Sequence, residues 1–107
     1  MAKYKKLYSA AITGTKVEVT AVGLSLGGYH MVNLTASLNY VQVFDSLAAN
    51  VTVGTTVPLL SLPLPASGGA TLYLGGLDLC VGLTLACTTT ATGSTTSDAF
   101  VVLTYKL

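Results

Sequence analysis

The sequence has very little charge. Only 8% of its 107 residues are charged, it contains no arginine and no tryptophan, and its formal net charge is +1. Soluble domains usually carry roughly 25% charged residues. Because affinity for a phosphate backbone comes from several Lys or Arg contacts acting together, this composition argues against a nucleic-acid partner.

Long hydrophobic runs are also missing, although 51% of the residues are hydrophobic. Gly, Pro or Thr interrupts the apolar stretches well before the ~20 residues that a membrane helix needs, and the lysine-rich start lacks the apolar core of a signal peptide. We therefore expect no membrane partner and no signal peptide. Since large exposed apolar patches usually mark interaction sites, the composition favours burial against copies of the chain or within a larger assembly.

Side chains that could carry chemistry are few. The chain has one histidine, His30, and four carboxylates that are isolated in sequence: Glu18, Asp45, Asp78 and Asp98. A zinc site needs about three or four Cys, His or carboxylate ligands, and paired acid and base catalysis needs two groups that converge. We predict no catalytic residues, no metal and no cofactor, and hence no enzyme. For Asp45 and Asp98, at predicted strand ends, we expect turn capping.

The two cysteines are Cys80 and Cys87. Seven residues of strand span about 23 Å, whereas a disulfide needs Cα atoms within about 7 Å. On a continuous strand they stay apart, and we expect two free, mostly buried thiols. The alternative is a turn near Gly82 that brings them together, and a pair formed by His30 with either thiol would revive an enzymatic interpretation.

Alternation of apolar and polar residues predicts β-strands throughout the chain. Residues 77–86 show the pattern most clearly, with Leu or Val at every odd position. The other predicted strands are residues 16–22, 29–38, 40–45, 59–64, 70–74 and 100–106. Gly27–Gly28, Gly75–Gly76 and other breakers separate them, and about eight strands at this spacing predict one all-β domain over residues 1–107, a sandwich or barrel. Pro63 cannot donate to a central ladder, so its segment should be an edge or a bend.

Two segments are candidates for contact with a partner. Lys3, Lys5 and Lys6 lie in an N-terminal arm, residues 1–12, that is either solvated or docks on an acidic neighbour. Residues 88–97 form the only low-complexity tract. They are either a polar hairpin loop or a protomer or lattice contact made by its threonines, Thr88, Thr89, Thr90 and Thr92.

Several motifs, in order and in spacing over residues 39–106, resemble those of small structural proteins of tailed-bacteriophage virions. They are NYVQVFD at 39–45, VTVGTTVP at 51–58, LSLPLP at 60–65, GGL at 75–77, TTTATG at 88–93 and VVLTYK at 101–106. The resemblance is greatest to capsid decoration, or cement, proteins. Residues 1–38 carry none of it.

This resemblance implies a jelly-roll β-sandwich that assembles as a homo-oligomer, often a homotrimer, on the outside of a phage head. The major capsid protein would be its partner, and synthesis would take place in the host cytoplasm. The resemblance brings no catalytic residues. Similar segments also suit a tail, fibre or baseplate domain that binds a receptor or glycan, which is the alternative function.

Overall fold

The computed structural model describes residues 6–107, except for the side chains of residues 72–75, and the described part contains eight β-strands. A short 3-10 helix, Ala48–Asn50, lies between the fourth and fifth strands. The strands are β1 (Lys6–Ile12), β2 (Val17–Thr20), β3 (Leu24–Asn33), β4 (Asn39–Phe44), β5 (Leu60–Leu64), β6 (Gly69–Leu79), β7 (Leu83–Thr88) and β8 (Ala99–Lys106).

These strands form two four-stranded antiparallel sheets. The first sheet has the order β1-β8-β3-β6 and the second sheet the order β2-β7-β4-β5. The pairs β1–β8, β2–β7, β3–β6 and β4–β5 are those of one long antiparallel hairpin, which has been rolled into two layers. This is the arrangement of a jelly roll. The predicted all-β, jelly-roll-like sandwich of about eight strands is therefore confirmed.

The core lies between the two sheets and is built from alternate residues of the strands. Met31, Val101 and Leu103 contribute from the first sheet, and Val41 and Leu85 contribute from the second. Each of these side chains is at most 1% exposed. Burial of a Val, Leu or Met side chain contributes roughly 1.5 to 3 kcal/mol, so this interior is the main source of stability.

The predicted single strand over residues 77–86 is wrong. β6 ends at Leu79, a turn follows, and β7 begins at Leu83 in the other sheet. Leu77 and Leu79 at the end of β6 face the same core as the odd-numbered residues of β7, so the alternation continues in phase across the turn and does not reveal it. The turn contains Gly82, where an added Cβ would lie 2.7 Å from the Thr20 carbonyl oxygen, and Val81, which is 47% exposed.

The predicted strand over residues 29–38 starts too late and ends too late. β3 begins at Leu24, passes through the glycine pair by means of a bulge, and ends at Asn33. The Asn33 side chain ends the strand, because its Oδ1 accepts hydrogen bonds from the Thr35 backbone N–H at 2.8 Å and from the Thr35 hydroxyl at 2.7 Å. Such side-chain bonds to the nearby backbone compete with a sheet ladder.

The expected arm over residues 1–12 is also corrected. Lys6–Ile12 is strand β1, which pairs along its whole length with β8. Tyr8 and Ile12 pack on the core, and this burial fixes the segment in the sheet. Lys6 is exposed at the beginning of β1, whereas Lys3 and Lys5 lie outside the described residues.

Candidate interaction surface

The outer face of the second sheet is covered by the chain itself. The connection between β4 and β5, residues 45–59, carries Val51 and Val53 to a second apolar cluster with Phe44 and Ala86. Every residue of β7 is buried, although alternate side chains of a strand point to opposite faces. The inner face of the second sheet therefore packs on the main core, and its outer face packs on the second apolar cluster.

The loop between β7 and β8 covers a further part of that face. Gln42 Nε2 donates to Thr88 Oγ1 at 2.7 Å and to the Gly93 carbonyl at 3.0 Å, and the Ser61 hydroxyl donates to the Ala91 carbonyl at 2.7 Å. Thr88 is completely buried as the last residue of β7, so its predicted role in an exposed contact is wrong. Thr89, Thr90 and Thr92 are exposed on the loop.

Within residues 6–107, no connection covers the outer face of the first sheet in this way. Its outward positions alternate with the buried core residues, and their register is set by the strand pairs: Phe100 lies between Ala11 and Val32, and Val102 lies between Ser9 and His30. We call this surface the open face. It consists of Leu7, Ser9 and Ala11 of β1, Phe100, Val102 and Thr104 of β8, His30 and Val32 of β3, and Thr71 of β6.

The open face carries apolar and uncharged polar side chains and is nearly free of charge. Leu7 is 66% exposed and Phe100 is 37% exposed. Apart from His30, the open face as defined contains no titratable side chain among the described residues. Charge enters only at one end, where Lys106 of β8 and Asp78 of β6 flank Ser25.

His30 lies in the middle of the open face and forms a hydrogen bond within it. Its Nδ1 forms a hydrogen bond with the Thr71 hydroxyl on the neighbouring strand, and Val102 lies opposite on the other side. No thiol or carboxylate is hydrogen-bonded to the ring, and the described residues contain no group of three or more His, Cys, Asp or Glu that could hold a metal ion. The His30–Cys pair that would revive an enzyme is not formed.

The two cysteines are both free. Cys87 is buried in β7 as expected. Burial raises the pKa of its thiol to about 11. A hydrogen bond with Ser97 lowers this pKa, and the negative charge of Asp98 raises it further. A thiol with such a pKa is protonated at neutral pH and is a poor nucleophile. Cys80 was expected to be mostly buried but is exposed, because it lies in the turn that follows β6.

Two of the carboxylates fix loops. The Asp45 carboxylate accepts hydrogen bonds from the backbone N–H groups of Cys80, Val81 and Gly82, at 3.0, 2.9 and 3.4 Å, and so caps the turn between β6 and β7. Partial burial opposes ionisation, but these three donors outweigh it and lower the pKa of Asp45 below its ordinary value. Glu18 Oε1 accepts from the Ala48 N–H at 2.8 Å. The capping role predicted for Asp45 is confirmed.

Three buried amides at the loop end escaped the sequence analysis. Asn39 Nδ2 lies 2.9 Å from Asn33 Oδ1, 3.0 Å from Ser97 Oγ and 2.9 Å from the Asp98 carbonyl, and it joins β3, β4 and the start of β8. Asn33 Nδ2 in turn donates to the Leu64 carbonyl at 3.1 Å. Together with Gln42, these amides hold the loops that shape this end of the sandwich.

Comparison of the chain with protein families, with curated proteins and with solved structures found no match. Among the described residues, no helix is long and apolar enough to cross a membrane.

Proposed function

We propose that this chain is a structural virion protein. It binds the outside of a phage head as a homo-oligomer, a trimer by the resemblance noted above, and stabilises the shell through contacts with the major capsid protein. The observation that carries the proposal is the asymmetry of the sandwich: loops cover much of the outer face of the second sheet, whereas within residues 6–107 no loop covers the open face, whose centre carries no lysine or carboxylate.

The open face supports an assembly role because exposed apolar area is costly for a chain that stays alone. Leu7 is mostly exposed and Phe100 is partly exposed. A domain of this size buries only about two thirds of the surface of its unfolded chain, so such side chains stay in water unless a partner covers them. Contacts with other copies or with a shell would bury this surface. The described residues hold no metal cluster and no reactive thiol–histidine pair that would favour catalysis instead.

A decoration protein stabilises a shell by mass action. Because it binds the assembled lattice and not the dissociated subunits, each occupied site adds RT ln(1 + [L]/Kd) to the stability of the shell. At a hundredfold excess over Kd this is about 2.7 kcal/mol per site, and it accumulates over many sites. Weak individual contacts are sufficient for such a role.

The direct test uses empty heads of the phage that encodes the chain, prepared without it. Purified protein should bind these heads to saturation at a fixed number of copies and raise the temperature at which they open. Bovine serum albumin at the same concentration is the control for non-specific protection. Failure to bind the heads, or binding without any increase in opening temperature, would contradict the proposal.

The alternative of a tail or fibre domain that binds a receptor predicts aromatic side chains clustered on one loop end. In the described part of the chain, all aromatic residues lie within strands: Tyr8, Tyr29, Tyr40, Phe44, Tyr73, Phe100 and Tyr105. The exposed loop 89–97 carries only small and hydroxyl side chains, with no ring on which a sugar could stack. This arrangement gives the receptor-binding alternative no support.

A further inference from the structure

We infer that the open face is where a neighbouring copy of this chain packs, with Val102 near the centre of the contact. The inference rests on the proposed function, which requires a homo-oligomer but does not say which surface forms it. Val102 lies on β8, an inner strand of the first sheet, between Ser9 of β1 and His30 of β3. It is partly buried by these neighbours and points away from the core.

The size of the open face suits a second copy. Four strands at a spacing of about 4.8 Å, each contributing about eight residues at about 3.3 Å, give the whole outer face of the first sheet, including the end with Lys106 and Asp78, an area of roughly 19 by 26 Å, or about 500 Å². A copy that covered all of this face would bury about 1,000 Å² in total over the two partners, which reaches the lower limit of a specific protein interface. Side chains that project above the mean plane add to this area.

Charge also favours another copy as the occupant. A surface without charge at its centre gives no electrostatic selection for an acidic or basic partner, and it is complementary to a surface equally poor in charge. The chain itself provides such surfaces, since its five Lys and four Asp or Glu make only nine charged residues among 107. Two copies of a strongly charged face would repel one another, whereas the open face of one copy can lie against a different, equally uncharged surface of the next copy, which is the heterologous contact that a trimer needs.

The one histidine on the open face does not oppose packing. His30 Nδ1 already forms its hydrogen bond with Thr71 within the face, so a neighbouring copy need not satisfy it. The adjoining outward residues, Val102, Val32 and Ser9, are uncharged. Lys106 and Asp78 lie at the far end beside Ser25, so the centre of the contact can exclude water without burying an unpaired charge.

The experiment compares wild type with Val102→Lys and Val57→Lys in sedimentation velocity over a wide range of protein concentration. Val57 is 84% exposed on the connection that covers the second sheet, so V57K adds the same charge away from the open face. We expect wild type and V57K to form the same oligomer and V102K to associate about a hundredfold more weakly or not at all, because a lysine would be buried unpaired. Circular dichroism checks that each variant is folded. If V102K does not fold, Ser9→Lys replaces it, because Ser9 is exposed on β1.

Wild-type association that is unchanged in folded V102K and S9K would overturn the inference. If these variants keep the wild-type oligomer but no longer bind empty heads, the open face contacts the shell, and the proposed function stands while the inference fails. If wild type is monomeric at every concentration and also fails to bind heads, both fail.

Discussion

Asp45 provides the sharpest test of how the end of the sandwich is held together. Its carboxylate accepts three backbone N–H groups from the turn that carries the chain from the first sheet to the second. A hydrogen bond to a charged group contributes about 1.5 to 3 kcal/mol when it is shielded from water, but these N–H groups lie near the surface and the third bond is long. We therefore expect Asp45→Ala to lower the free energy of unfolding by about 2 to 3 kcal/mol in total.

A change of this size is easily measured. Each kcal/mol corresponds to roughly 4 to 5 °C in Tm for a domain of about 100 residues, so Asp45→Ala should unfold about 8 to 15 °C below wild type. Urea unfolding gives the free energy directly, and the slope with urea should stay the same if only the folded state is affected. Asp98→Asn, at an exposed position whose carboxylate makes no hydrogen bond in the described structure, is the matched control and should change the stability by less than about 0.5 kcal/mol.

The pH dependence follows from the lowered pKa of Asp45. Because the folded-state pKa lies below the unfolded value of about 3.9, the carboxylate contributes stability that is fully present above about pH 4. This contribution is lost as the pH falls through the folded pKa. The difference between wild type and Asp45→Asn should therefore be constant from pH 7 to about pH 5 and shrink in stronger acid. Equal stability of wild type and D45A at pH 7, or a difference that grows on acidification, would refute the role of the capping carboxylate.

Three further predictions concern the interior and the turns. Asn39→Ala should cost about 2 to 4 kcal/mol in urea unfolding, since it leaves buried acceptors without a donor. Gly82→Ala should cost more than about 1 kcal/mol by the same assay, because its Cβ would approach the Thr20 carbonyl at 2.7 Å, and wild-type stability would contradict this packing. A thiol reagent at neutral pH should label Cys80 at once and Cys87 only as the protein unfolds; two equally fast thiols would disprove the burial of β7.

Strands are predictable from the sequence where one strand of the structure coincides with one segment of alternating apolar and polar residues. Predictions over residues 40–45, 59–64 and 100–106 match β4, β5 and β8 closely, and Pro63 lies on β5, an edge strand as its missing N–H requires. Local pattern was sufficient in these places because burial and turn chemistry agree.

Other features could not be read locally. β6 and β7 share one alternation although they belong to different sheets, and β1 looks like a basic arm until its pairing with β8 is known. The buried amides Asn33, Asn39 and Gln42 have partners distant in sequence, up to 59 residues away for Asn39, so no short motif announces them. Which outer face stays exposed depends on which sheet the long connections, such as residues 45–59, cross. That is a property of the rolled topology and not of any one segment.

Under the proposed function a phage genome encodes this chain, and the most direct test of that claim is the number and position of its copies in purified particles of that phage. Quantitative mass spectrometry gives the copy number relative to the major capsid protein, and an electron-microscopy reconstruction gives the position. We expect hundreds of copies arranged as oligomers on the outer surface of the head. A handful of copies at the tail, or none in the particle, would contradict the account.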